Sequence, residues 1–309
     1  MSYEVIDVTP DTPEWEEARR SSIGASEIAA VMGMSKWATP LDVYKSKLGV
    51  DRDFDPILGF VGHESEPIIH KWVERFSGTG ATLEPGFMAR STTVPYVHAT
   101  FDRVSHSPFL TWQFKTAHQY TGHHWDEGIP TDIRVQVQGE MFVAGTQRAA
   151  VVVWIGGREF RLFWEPRDEK FIQEQMLPAL DIAWAQVRAQ NPPEPTTMSE
   201  INETWPSEAA TVEATEEIFE LVEQRAVHLA DIQAMADEAD QMKLAISLFM
   251  QSADTLTFGG RRVLTNKTQR GRASLDRAQL EADHPDLVAA YTRQGADFKV
   301  MRTIKEKAK

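Results

Sequence analysis

Asp102 is followed eleven positions later by Gln113, and Gln113-Phe114-Lys115 ends an apolar run, Leu110 to Lys115, that reads as a strand. On a strand, residues 113 and 115 point to the same face. Asp102 stands near the end of the preceding strand pattern, Tyr96 to Arg103, and a hairpin would bring it beside that face. A carboxylate, an amide oxygen and a lysine at a sheet edge can form a Mg²⁺ site, because hard cations take oxygen ligands and Mg²⁺ keeps several waters. One such water becomes a nucleophile when the metal and a nearby lysine lower its pKa. The lysine can also neutralise charge building on a phosphate. Taken alone, Asp-x10-Gln-x-Lys favours a plainer reading, a solvated aspartate and an edge-strand lysine.

Helices and strands must position these residues. Glu14 to Arg20, Ser26 to Met32, Pro40 to Lys47 and Glu66 to Phe76 read as helices, with Ser26 as an N-terminal cap and Pro40 at a tolerant first turn. Tyr96 to Arg103, Leu110 to Lys115, Ala150 to Ile155 and Phe160 to Trp164 alternate or run apolar like buried strands. Val135 to Ala144 and Phe171 to Ala189 read as helices. The sum is an α/β (α+β) core, a mixed central sheet flanked by helices, over residues 1–195. Asn191-Pro192-Pro193-Glu194-Pro195-Thr196 ends it, since helix cannot continue through this proline run. Residues 196–309 form a second region. Ala210 to Ser252 carries apolar residues at spacings of three and four, an amphipathic helix or helical hairpin that packs on its own domain or forms an intermolecular coiled coil. A small α+β module follows: a Gly259-Gly260 turn, a strand at Arg262-Val263-Leu264, a helix near Leu275 to Glu281 and a strand at Phe298 to Ile304.

Composition narrows the function classes. The 309 residues include no cysteine, which excludes disulfides, a zinc–cysteine site and a cysteine nucleophile. No apolar run approaches the roughly 20 residues of a membrane helix. Met1 to Val5 carries neither a basic nor an apolar leader region, so no signal peptide and no membrane partner are expected. The net charge of −14 is unusual for a nucleic-acid binder, but its distribution matters more than its sum. Arg261 to Lys309 holds twelve Lys and Arg against six Asp and Glu, +6, which leaves −20 on the rest. An acidic body of this kind meets nucleic acid through local basic clusters or through metal ions. His98, His118, His123 and His124 lack zinc-type spacing and read as solvated or DNA-proximal. In the loop Ala117 to Thr131, Tyr120, His123, His124 and Trp125 either stack on an unpaired base or pack against the neighbouring helix.

Six short motifs, in order, shift the weighing at the Asp102 site. Arg19-Arg20-Ser21-Ser22-Ile23-Gly24-Ala25-Ser26-Glu27 resembles the opening motif of the lambda exonuclease and YqaJ-like viral recombinase family, a branch of the PD-(D/E)XK nucleases. Gly62-His63-Glu64-Ser65-Glu66 resembles its G-x-x-x-E helix start, Thr100-Phe101-Asp102-Arg103 stands where it has S-P-D-G, and Trp112-Gln113-Phe114-Lys115 where it has L-E-I-K. Gln136-Val137-Gln138-Gly139-Glu140-Met141 is similar to its Q-V-Q-x-x-M helix, and Arg167-Asp168-Glu169 to its E-R-D-E turn, one residue short. The resemblance spans most of the first 190 residues.

It implies a restriction-endonuclease-like fold and a Mg²⁺-dependent 5′-to-3′ exonuclease on double-stranded DNA ends, with Mn²⁺ able to substitute. Glu66, Asp102 and residue 113 become the implied metal ligands, Lys115 the catalytic lysine, and Arg19 and Ser26 the holders of the 5′-phosphate. Arginine gives bidentate phosphate contacts, and a helix start attracts anions. Gln136 and Gln138 cannot share one helix face, and Gln138 is expected to be the one turned to the site. The family also implies a homo-oligomer, a single-strand-annealing partner, and the cytoplasm of a bacterial host as a phage or prophage protein. Two departures touch the chemistry. Arg103 replaces a glycine beside Asp102, so the local turn must differ. Gln113 replaces a glutamate: it can still offer an oxygen, but without charge or proton-accepting power. Three readings compete: an engineered Glu→Gln replacement that traps a substrate complex, a natural amide with Glu140 supplying the carboxylate, and a catalytically weak DNA-end binder or scaffold.

Overall fold

The computed structural model describes residues 2–10, 12–50, 55–206, 210–295 and 299–302. The chain divides into two compact units, Met1–Ile201 and Asn202–Lys309.

The first unit is a mixed α/β structure. Its strands are β1 (Tyr3–Ile6), β2 (Ile23–Gly24), β3 (Glu84–Pro85), β4 (Met88–Ser91), β5 (Val97–Thr100), β6 (Arg103–His106), β7 (Phe109–Ala117), β8 (Arg148–Ile155) and β9 (Glu159–Pro166). Its helices are α1 (Pro13–Arg20), α2 (Ile28–Val31), α3 (Pro40–Lys47), α4 (Pro56–Phe76), α5 (Thr131–Ala144), α6 (Glu169–Phe171) and α7 (Leu177–Ala189). A π-helical turn, Ile172–Met176, joins α6 to α7. The strands make two sheets, one in the order β3-β6-β7-β8-β9 and one in the order β1-β4-β5-β2. In the larger sheet β7 and β8 are parallel, and the other pairings are antiparallel.

The side-chain period of two explains how the larger sheet is covered. On β7, Leu110, Trp112 and Phe114 join a buried cluster with Ile69 and Val73 of α4 and with Ala150 and Val152 of β8. The odd residues of β8, Ala149, Val151 and Val153, pack instead with Val137 and Met141 of α5. Helices α4 and α5 therefore cover opposite faces, and Gln113 and Lys115 fall on the α5 side by alternation. Gly139 lets α5 approach closely: a Cβ there would lie 2.4 Å from Ile28 Cδ1.

The strand expected over Tyr96 to Arg103 is two strands in two sheets. Val97–Thr100 pairs with β4, Arg103–His106 pairs with β7, and the chain steps between sheets at Phe101-Asp102. The facing segment steps with it, as Gly86 N–H donates to Asp102 O at 3.2 Å and Phe101 N–H to Phe87 O at 3.1 Å. Gly86 has no alternative here, since a Cβ would lie 1.6 Å from the Phe101 carbonyl oxygen.

Other expectations shift in detail. The helix expected from Glu66 begins at Pro56, so Glu66 is a mid-helix residue. Ser26 is not a cap: it sits inside a 3₁₀ turn, Ala25–Glu27, with Gly24 at the N-cap position. In the second unit, one unbroken 35-residue helix, Glu216–Met250, stands where a helix or a hairpin was open. A hairpin, Thr255–Phe258 with Arg261–Thr265, turns at Gly259-Gly260, and two short helices follow, Arg277–Asp283 and Pro285–Tyr291. Of the expected strand Phe298 to Ile304, residues 299–302 are irregular and the rest lies outside the described residues. Among the described residues no helix is long and apolar enough to cross a membrane.

Candidate active site

A cleft of about 250 Å³ opens where β7, the middle strand of the larger sheet, runs on past β6, lined by Leu58, Gly59, Gly62, His63, Glu66 and Ile69 of α4, by Asp102, and by Gln113, Phe114, Lys115 and Thr116 of β7. Four residues singled out for chemistry, Glu66, Asp102, Gln113 and Lys115, share this cleft. They come from a helix, a sheet crossover and one strand face.

Hydrogen bonds link them further. Asp102 Oδ2 accepts the Phe114 backbone N–H at 2.6 Å and the Gln113 side-chain amide at 2.5 Å. Gln113 Oε1 accepts from Gln136 Nε2 at 2.8 Å, and the same Gln136 amide donates to Glu140 Oε1 at 2.8 Å. Lys115 Nζ donates to Gln136 Oε1 at 3.0 Å. The orientation of the Gln113 amide is fixed by its neighbours: a carboxylate on one side can only accept, and an NH₂ on the other can only donate.

Gln136, not Gln138, is therefore the glutamine on this cluster. Gln138 faces away, where Nε2 donates to Glu165 Oε1 at 3.0 Å and Pro166 O at 2.9 Å, and Oε1 accepts Asp168 N–H at 2.8 Å. It pins the β9–α6 turn.

Burial pushes the Asp102 carboxyl up to about 6, against the opposing pull of the Lys115 charge. Glu140, 1% exposed on α5, is pushed up to about 8, first by burial and then by the Asp102 charge. Both effects favour the neutral form of the Glu140 carboxyl.

Glu66 is held by Arg103. Arg103 Nη1 donates to Glu66 Oε2 at 2.8 Å, and Nη1 also meets the Asp102 backbone oxygen. Arg103 Nε donates to His70 Nδ1 at 3.1 Å, and its guanidinium lies 5.8 Å from the Phe114 ring centroid. The other Glu66 oxygen is 3.5 Å from His63 Nδ1.

Arg19 and Ser26 do not line the cleft. The Arg19 guanidinium stacks 4.6 Å over the Trp15 ring, and Ser26 is exposed on the 3₁₀ turn. Behind that turn lies a buried network that sequence reasoning missed. Lys47 Nζ, with its side chain only 2% exposed, donates to both Glu27 oxygens at 2.6 and 2.8 Å and to Arg19 O at 2.9 Å. Glu27 Oε2 in turn accepts Gly24 N–H at 2.7 Å. Burial pushes the Lys47 amine down against the raising effect of Glu27. His98 is not solvated: it is 2% exposed, its Nδ1 is 2.8 Å from Ser22 Oγ, and burial with the Lys47 charge takes it down to about 3. The contacts that tie this network together, Glu27–Lys47, Arg19–Lys47 and Ser22–His98, join residues twenty to seventy-six positions apart, so no local spacing signalled it.

In the Ala117–Thr131 loop, Trp125 is buried with Ile129, Val137 and Met141, which settles it as packing, whereas Tyr120 is 75% exposed and His123 and His124 are exposed.

The donor chemistry can be weighed against a divalent cation. Among the described residues, no three His, Cys, Asp or Glu side chains gather as a cage. Two carboxylates, Glu66 and Asp102, with an amide at 113 suit Mg²⁺, which keeps waters and binds through one or two carboxylates plus substrate phosphates.

The sequence around this cleft is similar to a known domain family over part of the chain. Residues 14–147 match the YqaJ-like viral recombinase domain. Arg19, Ser26, Glu66, Asp102, Gln113, Lys115, Gln136, Gln138 and Glu140 all lie within that YqaJ-like segment. Uncharacterized protein YqaJ of Bacillus subtilis (strain 168) is 29% identical over 164 residues, 52% of this chain and 51% of its own length. The chain thus spans about half the length of the curated relative it matches. An alkaline exonuclease of Laribacter hongkongensis, LHK-Exo, is similar in structure at TM-score 0.46 and 19% identity, covering 58% of this chain and 94% of its own. A phage related exonuclease from Haemophilus somnus 129PT gives TM-score 0.45 and 15% identity over 55% of this chain and 96% of its own.

Proposed function

We propose that the chain is a divalent-metal-dependent exonuclease acting on double-stranded DNA ends, with 5′-to-3′ polarity, impaired by the amide at position 113. The observation that carries this reading is the meeting of Glu66, Asp102, residue 113 and Lys115 in one cleft of a segment that matches the YqaJ-like viral recombinase domain. Glu66 and Asp102 would hold Mg²⁺ or Mn²⁺, joined by the Gln113 oxygen only after its amide turns over, since that oxygen accepts from Gln136 and the NH₂ faces Asp102; the metal would supply an activated water and a counter-charge for the phosphate. Lys115, on the same face of β7, holds positive charge where the scissile phosphate enters. Phe114 N–H orients the Asp102 carboxylate. Arg19 and Ser26, on a separate turn, are the proposed hold on the 5′-phosphate. The single-strand product would pass to an annealing protein, and a homo-oligomer around the duplex would keep digestion processive. The protein would work in the cytoplasm of a bacterial host.

The Gln113 amide accounts for the impairment. A glutamate there would face the Asp102 carboxylate at contact distance, and two carboxylates so close need a shared cation or a shared proton. The amide N–H satisfies Asp102 without either. That same bond, with the Arg103–Glu66 pair, favours the second reading, a DNA-end-binding scaffold in which neither acid requires a metal.

The test is digestion of linear duplex labelled at either the 5′ or the 3′ end, beside a covalently closed circle, in Mg²⁺. The Gln113→Glu protein should release the 5′ label first and leave the circle intact. Salt-sensitive binding of ends with no digestion by either protein would replace the enzyme with the scaffold. Cutting of the circle would make it an endonuclease.

A further inference from the structure

The contacts of Arg103 point to a role beyond shaping a turn. Its guanidinium is held from several directions: Glu66 Oε2 at 2.8 Å, His70 Nδ1 at 3.1 Å, the Asp102 backbone oxygen, and the Phe114 ring. The His70 contact has a direction. Nδ1 accepts, so the ring proton sits on Nε2, which is 3.3 Å from Glu74 Oε1. Glu74 and His70 thus line up with Glu66 along α4 and hold the Arg103 guanidinium against the Glu66 carboxylate. The side chains of Arg103 and Glu66 are 16% and 23% exposed, so the pair is only partly screened by water.

Two acids, Glu66 and Asp102, and two cations, Arg103 and Lys115, thus meet at one place, with an uncharged amide at 113.

We propose that Arg103 is a built-in competitor for divalent cations: its guanidinium occupies the Glu66 carboxylate that a metal would use, and metal binds only as Arg103 swings away. The inference rests on the assignment of Glu66 as a metal-binding acid in the proposed nuclease. It assigns to Arg103 a positioning and gating role that lowers metal affinity and sets the metal concentration at which the site fills.

The test is Mn²⁺ binding by the full chain, followed by the loss of the free-ion electron paramagnetic resonance signal, without DNA. Arg103→Met keeps the length and apolar stem and removes the charge, and it should bind Mn²⁺ about tenfold or more tightly, because one unit charge in contact with a carboxylate outweighs surface screening by at least that factor. Arg103→Lys should stay near the parent. Adding Glu66→Gln should erase the gain. Arg161→Met, at an ion pair with Glu159 and Asp126, is the charge control and should not change affinity. If Arg103→Met does not fold, the parent protein still decides the matter. Saturating Mg²⁺ should move the Arg103 Nε resonance in a nitrogen-15 spectrum, and an unmoved resonance at saturation overturns the proposal. Equal or weaker Mn²⁺ binding by Arg103→Met, or no binding by any variant, overturns it too. Tighter binding with no digestion of DNA by any variant, Gln113→Glu included, would sink the nuclease reading and leave the competition standing.

Discussion

Glu140 makes the sharpest prediction about stability. Its carboxyl is 1% exposed, accepts from Gln136, and is pushed from 4.5 to about 8 by burial and the Asp102 charge. Between those values the folded protein holds a proton that the unfolded chain has released. Stability must therefore fall as pH rises through the window from 4.5 to 8. At about 1.4 kcal/mol per pH unit, the full window amounts to at most about 5 kcal/mol. Glu140→Gln removes the titration while keeping the shape. The variant should match the parent at pH 5 and exceed it by about 3–5 kcal/mol at pH 9. Urea unfolding in the presence of a chelator measures the difference. Eight of the nine tryptophans lie in the first unit, so their fluorescence reports the relevant transition. Asp102, pushed up to about 6, titrates in both proteins and drops out of the comparison to first order. Parallel stability curves from pH 5 to 9 would refute the reasoning, because Glu140 would then be solvated or permanently ionised.

Three further outcomes follow from packing and charge. Lys47→Met leaves Glu27 without its cation in a largely buried turn and should cost about 3–5 kcal/mol in chemical unfolding, whereas a loss under 1 kcal/mol would mean that water reaches Glu27. Gly86→Ala forces a Cβ into the Phe101 carbonyl and should cost about 3 kcal/mol or more by the same measure, with the Asp102 crossover displaced; an unchanged midpoint would contradict the crossover geometry. Trp125→Ala should lose about 3–5 kcal/mol while Tyr120→Ala loses almost nothing, and the reverse order in thermal unfolding would return Trp125 to the solvent.

The sequence carried some of this site openly and hid the rest for physical reasons. The apolar run at 110–115 announces a strand, and its period of two puts Gln113 and Lys115 on one face wherever the strand lies. Asp102 was legible as a neighbour, but the step between sheets at Phe101-Asp102 was not, because no glycine or proline in Thr100-Phe101-Asp102-Arg103 marks it; the accommodating glycine, Gly86, lies on the facing segment between β3 and β4. The start of α4 was obscured by Gly59, Gly62 and an interior Pro67, which interrupt the helical signal. The choice between Gln136 and Gln138 depends on how α5 is rotated on the sheet, and close packing at Gly139 fixes that rotation through a contact with Ile28 more than a hundred residues away. The Glu27–Lys47 pair and the buried His98 are tertiary facts without a local pattern. Arg103 could be read as a departure from the family, but its grip on Glu66 needed the helix in place.

The most direct test of the account is a single-turnover digestion of 5′-phosphorylated linear duplex in Mg²⁺, comparing the parent, Gln113→Glu, and Gln113→Glu with Lys115→Ala. The account predicts rapid release of acid-soluble nucleotide by Gln113→Glu, at least about a hundredfold slower release by the parent, and a comparable loss when Lys115 is removed, the scale expected for taking away one electrostatic element of an active site. Equal rates for all three proteins would place the chemistry outside this cleft and contradict the account.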